Sequence, residues 1–325
     1  IGGMLSGIFV LPGLAVGITG SSVWLAFLVA ALCILPAVLS KSELGTAMPK
    51  SGGTYVYIER AFGPLFGTIA GIGLWLSLLL KSAFSLVGLS AYLYVVVNID
   101  EAYTKAIALL ALLLIFLLNV FGLKKVEKTQ LFIVSVSLIS LIVIIVLGFS
   151  SFDTKLTEPV FSDGTNGFIA GVAFLYISYA GVTKIAAIAG EIKNPAKNLP
   201  LTMIISLFLI TTIYCMVALA LVGNVEASIL ATDIKPIHTL FQTIGGDTFG
   251  LIAGVVGSLT LLSMANSGGL ASSRFPFAMS KDGLLPSYLA GINSKFKTPV
   301  SAILTTSSLI ALAIIFLDVV KIAKL

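Results

Sequence analysis

Residues 1–13 read IGGMLSGIFVLPG, a stretch that is apolar enough for a membrane yet contains four glycines, a proline and a serine. Glycine and proline are poor residues for the interior of an ordinary helix. Small residues allow transmembrane helices to pack closely, which is one explanation of this composition. The other is a break in the helix, because non-helical backbone at membrane depth persists only where it is buried in protein or lines a cavity.

The rest of the chain has the composition of a membrane protein. Of its 325 residues, 58% are hydrophobic and 10% are charged, whereas a soluble domain carries about 25% charged residues. The runs 65–97, 131–148 and 199–223 each reach or exceed the roughly 18 to 20 residues that cross a bilayer as a helix. We therefore predict an all-α polytopic membrane protein with one domain over residues 1–325 and nine spans, at 1–17, 22–39, 65–97, 106–123, 131–149, 167–190, 199–223, 248–272 and 300–317.

The basic residues predict the orientation of these spans. Twelve lysines and arginines lie in the loops 40–64, 124–130, 191–198 and 273–299, and three lie in the alternate loops between spans. Loops rich in lysine and arginine face the cytoplasm. The first span is thus predicted to run from the cytoplasm outward.

Several classes of function are excluded by what the chain lacks. The two cysteines, Cys33 and Cys215, lie inside apolar spans and predict neither a disulfide framework nor a metal site. The single histidine, His238, is predicted to lie exposed in a polar loop. The spans contain no catalytic constellation, and the net charge of +5 is explained by a few basic loops. We expect no enzyme activity, no cofactor and no nucleic-acid partner.

A second interrupted helix supports a break rather than simple packing. In LYISYAGVTKIA, residues 175–186, the residues Ser178, Gly181 and Thr183 interrupt an apolar run. Two interrupted helices about 175 residues apart predict a transporter built from inverted repeats. Residues 1–150 then form a first repeat of five helices, and residues 165–325 form an incomplete second repeat of helices 6 to 9.

Four stretches resemble the amino acid–polyamine–organocation (APC) superfamily of permeases, in the order in which that family carries them. They are LSGIFVLPG, SELGTAMPKSGGTYVYIERAFGP, ISYAGVTKIAAIAGEIKNPAKNLP and AMSKDGLLP. The resemblance implies an APC-type fold of 5+5 inverted repeats in which helices 1 and 6 are unwound. Members usually have twelve helices, so the chain looks like a truncated member or a fragment of one.

The resemblance also implies a substrate site between the two unwound helices. The N–H groups of Ser6, Gly7 and Ile8, with the Ser6 hydroxyl, would hold a carboxylate at a helix N-terminus, where the dipole is positive. The carbonyl groups freed by the breaks would accept an ammonium, and they belong to Gly3, Ile177, Ser178 and Ala180. Leu5 stands where the family commonly has glycine and would narrow the pocket. Tyr179 would form an aromatic gate over the substrate or would only pack, and Gly181 and Val182 complete the predicted substrate site.

The coupling ion is predicted less directly. Ser137 aligns with a position where some proton-coupled relatives carry a lysine. Lys81 and Lys184 lie within spans, where charges are expensive and commonly functional, although snorkelling and pairing with backbone carbonyls are alternatives. Span 8 carries three polar side chains, those of Ser263, Asn266 and Ser267. They would line a site that resembles a sodium site, or they would only form hydrogen bonds to the neighbouring backbone.

The predicted function is a secondary transporter that moves amino acids by alternating access, coupled to protons or sodium or working by exchange. Its partners would be a small amino acid substrate and the lipid bilayer, as a multi-pass protein of a prokaryotic plasma membrane. An amine or polyamine transporter is the alternative on the same fold, and a binding-only membrane sensor is the alternative of another class. A channel is disfavoured because the sequence has no charged ring or repeated filter motif.

Overall fold

The computed structural model describes residues 5–48, 53–97, 101–121, 126–161 and 164–317. In these ranges the regular secondary structure is entirely helical. The α-helices are α1 (Ser6–Thr19), α2 (Val23–Ala47), α3 (Thr54–Phe62), α4 (Pro64–Val97), α5 (Thr104–Phe121), α6 (Val126–Ser150), α7 (Gly164–Tyr176), α8 (Pro195–Val222), α9 (Ala227–Leu230), α10 (Pro236–Lys281) and α11 (Val300–Phe316). Short 3₁₀ helices cover Gly20–Ser22, Glu101–Tyr103, Thr154–Thr157 and Ser287–Ala290, and a long one covers Ile177–Glu191.

Seven helical segments of the described chain are long and apolar enough to cross a membrane, and α11 is a shorter apolar helix. One of the seven, Gly7–Ala47, has 41 residues, a length of about 61 Å at 1.5 Å per residue. That is twice the roughly 30 Å of a hydrocarbon core, so α1 and α2 form two crossings divided at Gly20, where φ is 61°. The prediction of an all-α polytopic fold is confirmed, whereas the division into two inverted repeats stays a prediction.

Helices α4 and α10 form an antiparallel pair along their whole contact. Position 71 faces 279, position 82 faces 268, position 92 faces 257, and position 96 faces 254. As the residue number rises along α4, the number of the residue it contacts on α10 falls by the same amount to within one residue, so the two helices run in opposite directions. A glycine stands on one side of every contact, which brings the two backbones close together.

The remaining helices surround this pair. Helix α2 packs on α8 and α7, and α7 also packs on α1. Helix α6 lies against α10 and α8, whereas α11 lies against α4 and α5. The predicted loop 40–64 contains the amphipathic helix α3, which packs on α4.

The last element that positions the site is the first part of α10. Gly246 has φ of 71° and ψ of −167°, so it divides α10 into residues 236–245, which we call the loop helix, and the spanning part after it. The predicted span 248–272 begins two residues after this kink, so the loop helix lies outside the predicted span. His238 lies in the loop helix and is 6% exposed, so the prediction that it is exposed is wrong. The apolar neighbours Ile237, Leu240 and Phe241 explain its burial, because they turn this side of the loop helix inward.

Candidate functional site

The start of α1 lies inside the protein. Leu5 is the N-cap residue, and no side-chain hydrogen bond caps the helix within the described residues. Leu5 and Ile8 are both completely buried. The first N–H groups of a helix have no acceptor within that helix and carry partial positive charge. The start of α1, where Ser6, Gly7 and Ile8 follow the buried Leu5, therefore lies inside the protein.

The second interrupted helix changes its geometry beside this end. The α-helical part, α7, ends at Tyr176, and a 3₁₀ helix of 15 residues follows from Ile177 to Glu191. Runs of 3₁₀ helix longer than three or four residues are uncommon and commonly mark a hinge. The predicted interruption of the second helix is thus confirmed, and it begins at Ile177.

The two segments meet at Gly7 and Ser178. A Cβ atom added to Gly7 would lie 3.1 Å from the Ser178 Oγ atom and 3.2 Å from its Cβ atom. Ser178 is completely buried, and its hydroxyl has no hydrogen-bond partner among the residues that the structure describes. Leaving a buried polar group unpaired costs about 1 to 3 kcal/mol. A polar ligand between the two segments would remove that cost, so we call the contact of Gly7 with Ser178 the junction.

Tyr179 is the next residue, and its side chain turns away from the junction. Its hydroxyl donates a hydrogen bond to the Phe27 carbonyl of α2 at 3.0 Å. Its ring centroid lies 6.4 Å from that of Phe27 and 5.4 Å from that of Tyr214 on α8. This geometry favours packing, one of the two roles that the sequence leaves open for Tyr179. Gly181 and Val182 are buried, whereas Ile177 and Ala180 are half-buried.

Some predicted residues cannot be assigned a place in this site. Gly3 lies outside the described residues, and so do the side chains of Ser6 and Lys184. The backbone of Lys184 belongs to the 3₁₀ helix. The roles predicted for these three residues stay predictions.

Ser137 contacts a residue that the sequence reasoning missed. Its hydroxyl lies against that of Thr260 on α10 in a short hydrogen bond. Each hydroxyl is also within hydrogen-bond distance of a carbonyl one turn earlier on its own helix, at 2.7 Å for Ser137 and 2.6 Å for Thr260. The available signal was helical spacing, because Thr260 precedes Ser263 by three residues and Ser267 by seven, which puts all three on one side of α10.

The other polar residues predicted on α10 differ in their bonding. Ser263 and Asn266 are buried, and the Asn266 Oδ1 atom has no hydrogen-bond partner in the part of the chain described. The Ser267 hydroxyl donates to the Ser263 and Met264 carbonyls at 3.1 Å each. Ser267 is thus satisfied within its own helix, as the packing alternative predicts, whereas the described residues offer the Asn266 Oδ1 atom no donor.

Lys81 lies in the middle of α4 with its ammonium group buried. Seven residues later on the same helix, Gly88 packs against Val10 of α1, since a Cβ atom there would lie 2.9 Å from the Val10 Cγ2 atom. Seven residues are about two turns of an α-helix, so Lys81 lies on the side of α4 that faces α1. The coupling role predicted for Lys81 stays a prediction.

Comparison with known proteins adds the family. The model of the amino acid permease family matches residues 1–322. The chain is 24% identical over 327 residues to the chloroplastic cationic amino acid transporter 7 of Arabidopsis thaliana, covering 93% of this chain and 56% of that protein. It is 27% identical over 315 residues to the branched-chain amino acid permease BcaP of Bacillus subtilis, covering 90% and 67%.

A third relative is the serine/threonine exchanger SteT of Bacillus subtilis. It is 29% identical over 328 residues, which cover 96% of this chain and 72% of SteT. The chain thus matches nearly in full, while it spans only about half to two thirds of the length of the first two relatives.

Proposed function

Since the chain belongs to the amino acid permease family of the APC superfamily, we propose that it is a secondary transporter that moves amino acids across a membrane by alternating access. The observation that carries the proposal is the junction. There a buried helix start, without a side-chain cap in the described residues, adjoins the buried Ser178 hydroxyl, for which the described residues offer no partner. Both groups are suited to a small polar ligand.

An α-amino acid matches the polarity of the junction. Its carboxylate accepts hydrogen bonds from the N–H groups of Ser6, Gly7 and Ile8, where the dipole of α1 adds partial positive charge. Its ammonium donates to carbonyl oxygens of the 3₁₀ segment, with Ile177, Ser178 and Ala180 as candidates. Gly7 allows the carboxylate to approach, because it has no side chain over the helix end.

We propose a neutral amino acid as the substrate class. The acidic side chains Glu43 and Asp247 lie near helix ends and are exposed, so they offer no buried counter-charge to a cationic substrate. Lys81 adds a buried positive charge on α4, which disfavours a second cation further. The relatives include a cationic amino acid transporter as well as a branched-chain permease, so substrate class needs a direct test.

The coupling group is proposed among residues near α1 and α10. Lys81 is the candidate proton carrier, because an ionisable side chain within a membrane span is commonly functional. The hydroxyl pair of Ser137 and Thr260, with Asn266, is the candidate for a sodium-like site. The membrane is proposed to be a prokaryotic plasma membrane, which the two bacterial relatives support.

The test is binding and flux with the purified protein. A thermal-shift screen against the twenty amino acids identifies the ligand, and uptake of that labelled ligand into proteoliposomes follows. The free amino acid should compete for uptake, whereas its amide and its N-acetyl form should compete about ten- to a hundredfold less well, because each leaves a buried group unpaired.

Three outcomes would contradict the proposal. Equal competition by the amide would show that α1 does not bind a carboxylate. Binding of amines without a carboxylate would favour the amine or polyamine alternative. Binding without flux would favour a membrane sensor.

A further inference from the structure

The 3₁₀ segment turns two buried sides to different neighbours. A 3₁₀ helix has three residues per turn, so residues three apart lie on the same side and adjacent residues point about 120° apart. Ser178 and Gly181 therefore share the side that meets α1, where a Cβ atom added to Gly7 would lie 3.1 Å from the Ser178 Oγ atom. Tyr179 and Val182 share the next side, and both are completely buried. The position of the first side depends on how the second side is held.

Tyr179 ties the second side to the backbone of α2. Its hydroxyl donates a 3.0 Å hydrogen bond to the Phe27 carbonyl oxygen. Phe27 lies four residues after Val23, where α2 begins, so this carbonyl belongs to the interior of a regular helix. A main-chain carbonyl of this kind moves only when its helix moves. The bond therefore fixes the 3₁₀ segment to α2 itself and not to a mobile side chain.

Two further rings hold the ring of Tyr179. Phe27 on α2, Tyr179 and Tyr214 on α8 are all completely buried. Their centroids lie 5.1 Å apart for Phe27 and Tyr214, 5.4 Å for the two tyrosines, and 6.4 Å for Phe27 and Tyr179. All three distances lie in the range of about 4.5 to 7 Å at which aromatic pairs attract. We call these three rings the ring cluster, and it holds the 3₁₀ segment from two helices at once.

Ser178 has no comparable hold of its own. Its hydroxyl makes no hydrogen bond to the part of the chain that the structure describes. The backbone around it is 3₁₀ helix, whose hydrogen-bond geometry is poorer than that of an α-helix. Tyr179 is the next residue, so a shift of its backbone reaches Ser178 through one peptide unit. The distance from Ser178 to Gly7 is thus set largely from the Tyr179 side.

We propose that Tyr179 is a positioning residue for amino acid binding, which holds Ser178 at its place against Gly7 through α2 and the ring cluster without contacting the ligand. The proposal rests on the proposed transport function and deepens it. All α-amino acids carry the same carboxylate and ammonium, so a displaced junction weakens the binding of each by the same factor. A residue in the wall of the substrate pocket would instead change which side chains are accepted.

The first experiment measures the binding of several amino acids to Tyr179→Phe, which removes only the hydroxyl oxygen and keeps the ring. The ligands are those that the thermal-shift screen identifies for the parent protein. We expect the affinity for each to fall about two- to tenfold, the net value of one hydrogen bond, with their order of preference unchanged. A changed order of preference would overturn the proposal, and so would unchanged affinities.

The second experiment needs no ligand, because it uses the contact of Gly7 with Ser178 as the reporter. The Cβ atom of Gly7→Ala presses on Ser178, and Ser178 can yield only if the 3₁₀ segment is free to shift. In the Tyr179→Phe background we therefore expect Gly7→Ala to lower the thermal unfolding midpoint about half as much as it does in the parent, since coupled residues are not additive.

Tyr55→Phe is the matched background. Tyr55 is also buried, and its hydroxyl donates a 2.8 Å hydrogen bond to Asp282, which follows the last residue of α10. This variant loses a comparable bond far from the junction, so Gly7→Ala should lower the unfolding midpoint in it by the full amount. An equal lowering in the Tyr179→Phe and Tyr55→Phe backgrounds would overturn the proposal, because a tyrosine that only stabilises the fold gives that result.

Phe27→Leu is the second variant, should Tyr179→Phe fail to fold. It keeps the carbonyl group of residue 27 and removes the ring that α2 contributes to the ring cluster. The same smaller effect of Gly7→Ala is expected, and an undiminished effect would contradict the positioning role. A parent protein that binds no amino acid would refute the proposed function, while the unfolding measurements would still decide whether Tyr179 positions Ser178.

Discussion

Replacing Gly7 by alanine tests whether the two interrupted helices touch. The added Cβ atom would lie 3.1 Å, 3.2 Å and 3.4 Å from the Oγ, Cβ and Cα atoms of Ser178. All three distances are shorter than the 3.5 to 4.0 Å at which non-bonded atoms attract best, and those to Oγ and Cβ are the shortest. Overpacking of this kind costs about 1 to 3 kcal/mol. We expect Gly7→Ala to lower the thermal unfolding midpoint and to weaken amino acid binding about tenfold or more, since about 1.4 kcal/mol corresponds to a factor of ten.

Gly73→Ala is the control for the intrinsic effect of the substitution. Gly73 lies on α4 with nothing within 4 Å of an added Cβ atom. Alanine is favoured over glycine in a helix by up to about 1 kcal/mol, so Gly73→Ala should stabilise the protein slightly. The two substitutions are therefore expected to change stability in opposite directions.

A second substitution tests whether the loss of stability in Gly7→Ala comes from contact with the Ser178 side chain. Ser178→Gly removes the Oγ and Cβ atoms and leaves the Cα atom at 3.4 Å, an ordinary contact. In the double variant, Gly7→Ala should therefore cost less stability than it does alone, with a coupling of about 1 kcal/mol or more. Thermal unfolding of the four proteins measures this coupling. Additive effects, or stabilisation by Gly7→Ala alone, would refute the contact at the junction.

Three further predictions concern topology, coupling and stability. Arg60→Cys should label only from the cytoplasm and Thr154→Cys only from outside; the reverse labelling would invert the predicted orientation. Lys81→Met should abolish accumulation driven by a pH gradient while exchange of substrate continues, and full accumulation would assign Lys81 a structural role. Tyr55→Phe should lower the free energy of unfolding by about 1.5 to 3 kcal/mol, the net value of a hydrogen bond to a charged group such as Asp282, and an unchanged unfolding curve would show that the bond adds nothing.

A site between the two interrupted helices could be predicted from the sequence, because the resemblance implies one there. The contact of Gly7 with Ser178 was not itself predicted, and the structure brings these two predicted site residues together. The direction of Tyr179 could not be predicted, since a tyrosine in a membrane helix is satisfied by any carbonyl within reach. Thr260 was missed although its spacing to Ser263 is helical, because a hydroxyl in an apolar helix usually bonds to its own backbone.

The loop helix shows a different limit of the sequence. Its residues PIHTLFQTIG mix polar and apolar side chains, so no run of membrane length includes them. His238 was predicted exposed because it stands among polar residues, yet it is buried, and a Cβ atom added to Gly250 in the spanning part of α10 would lie 3.0 Å from its Nε2 atom. Contacts between elements that are distant in sequence decided its burial, and periodicity within one segment does not report them.

The antiparallel pairing of α4 with α10 has a consequence for how the protein is made. Its contacts join residues that the ribosome supplies far apart in time, as do the bonds of Tyr55 with Asp282 and of Trp75 with Thr306, at separations of 227 and 231 residues. Ser82 and Tyr92 of α4 are buried against α10 in the finished protein. During synthesis α4 therefore enters the membrane before α10 does, and the side of α4 that carries Ser82 and Tyr92 lacks its packing partner until α10 is inserted. Biogenesis of the whole fold thus depends on a helix that emerges late.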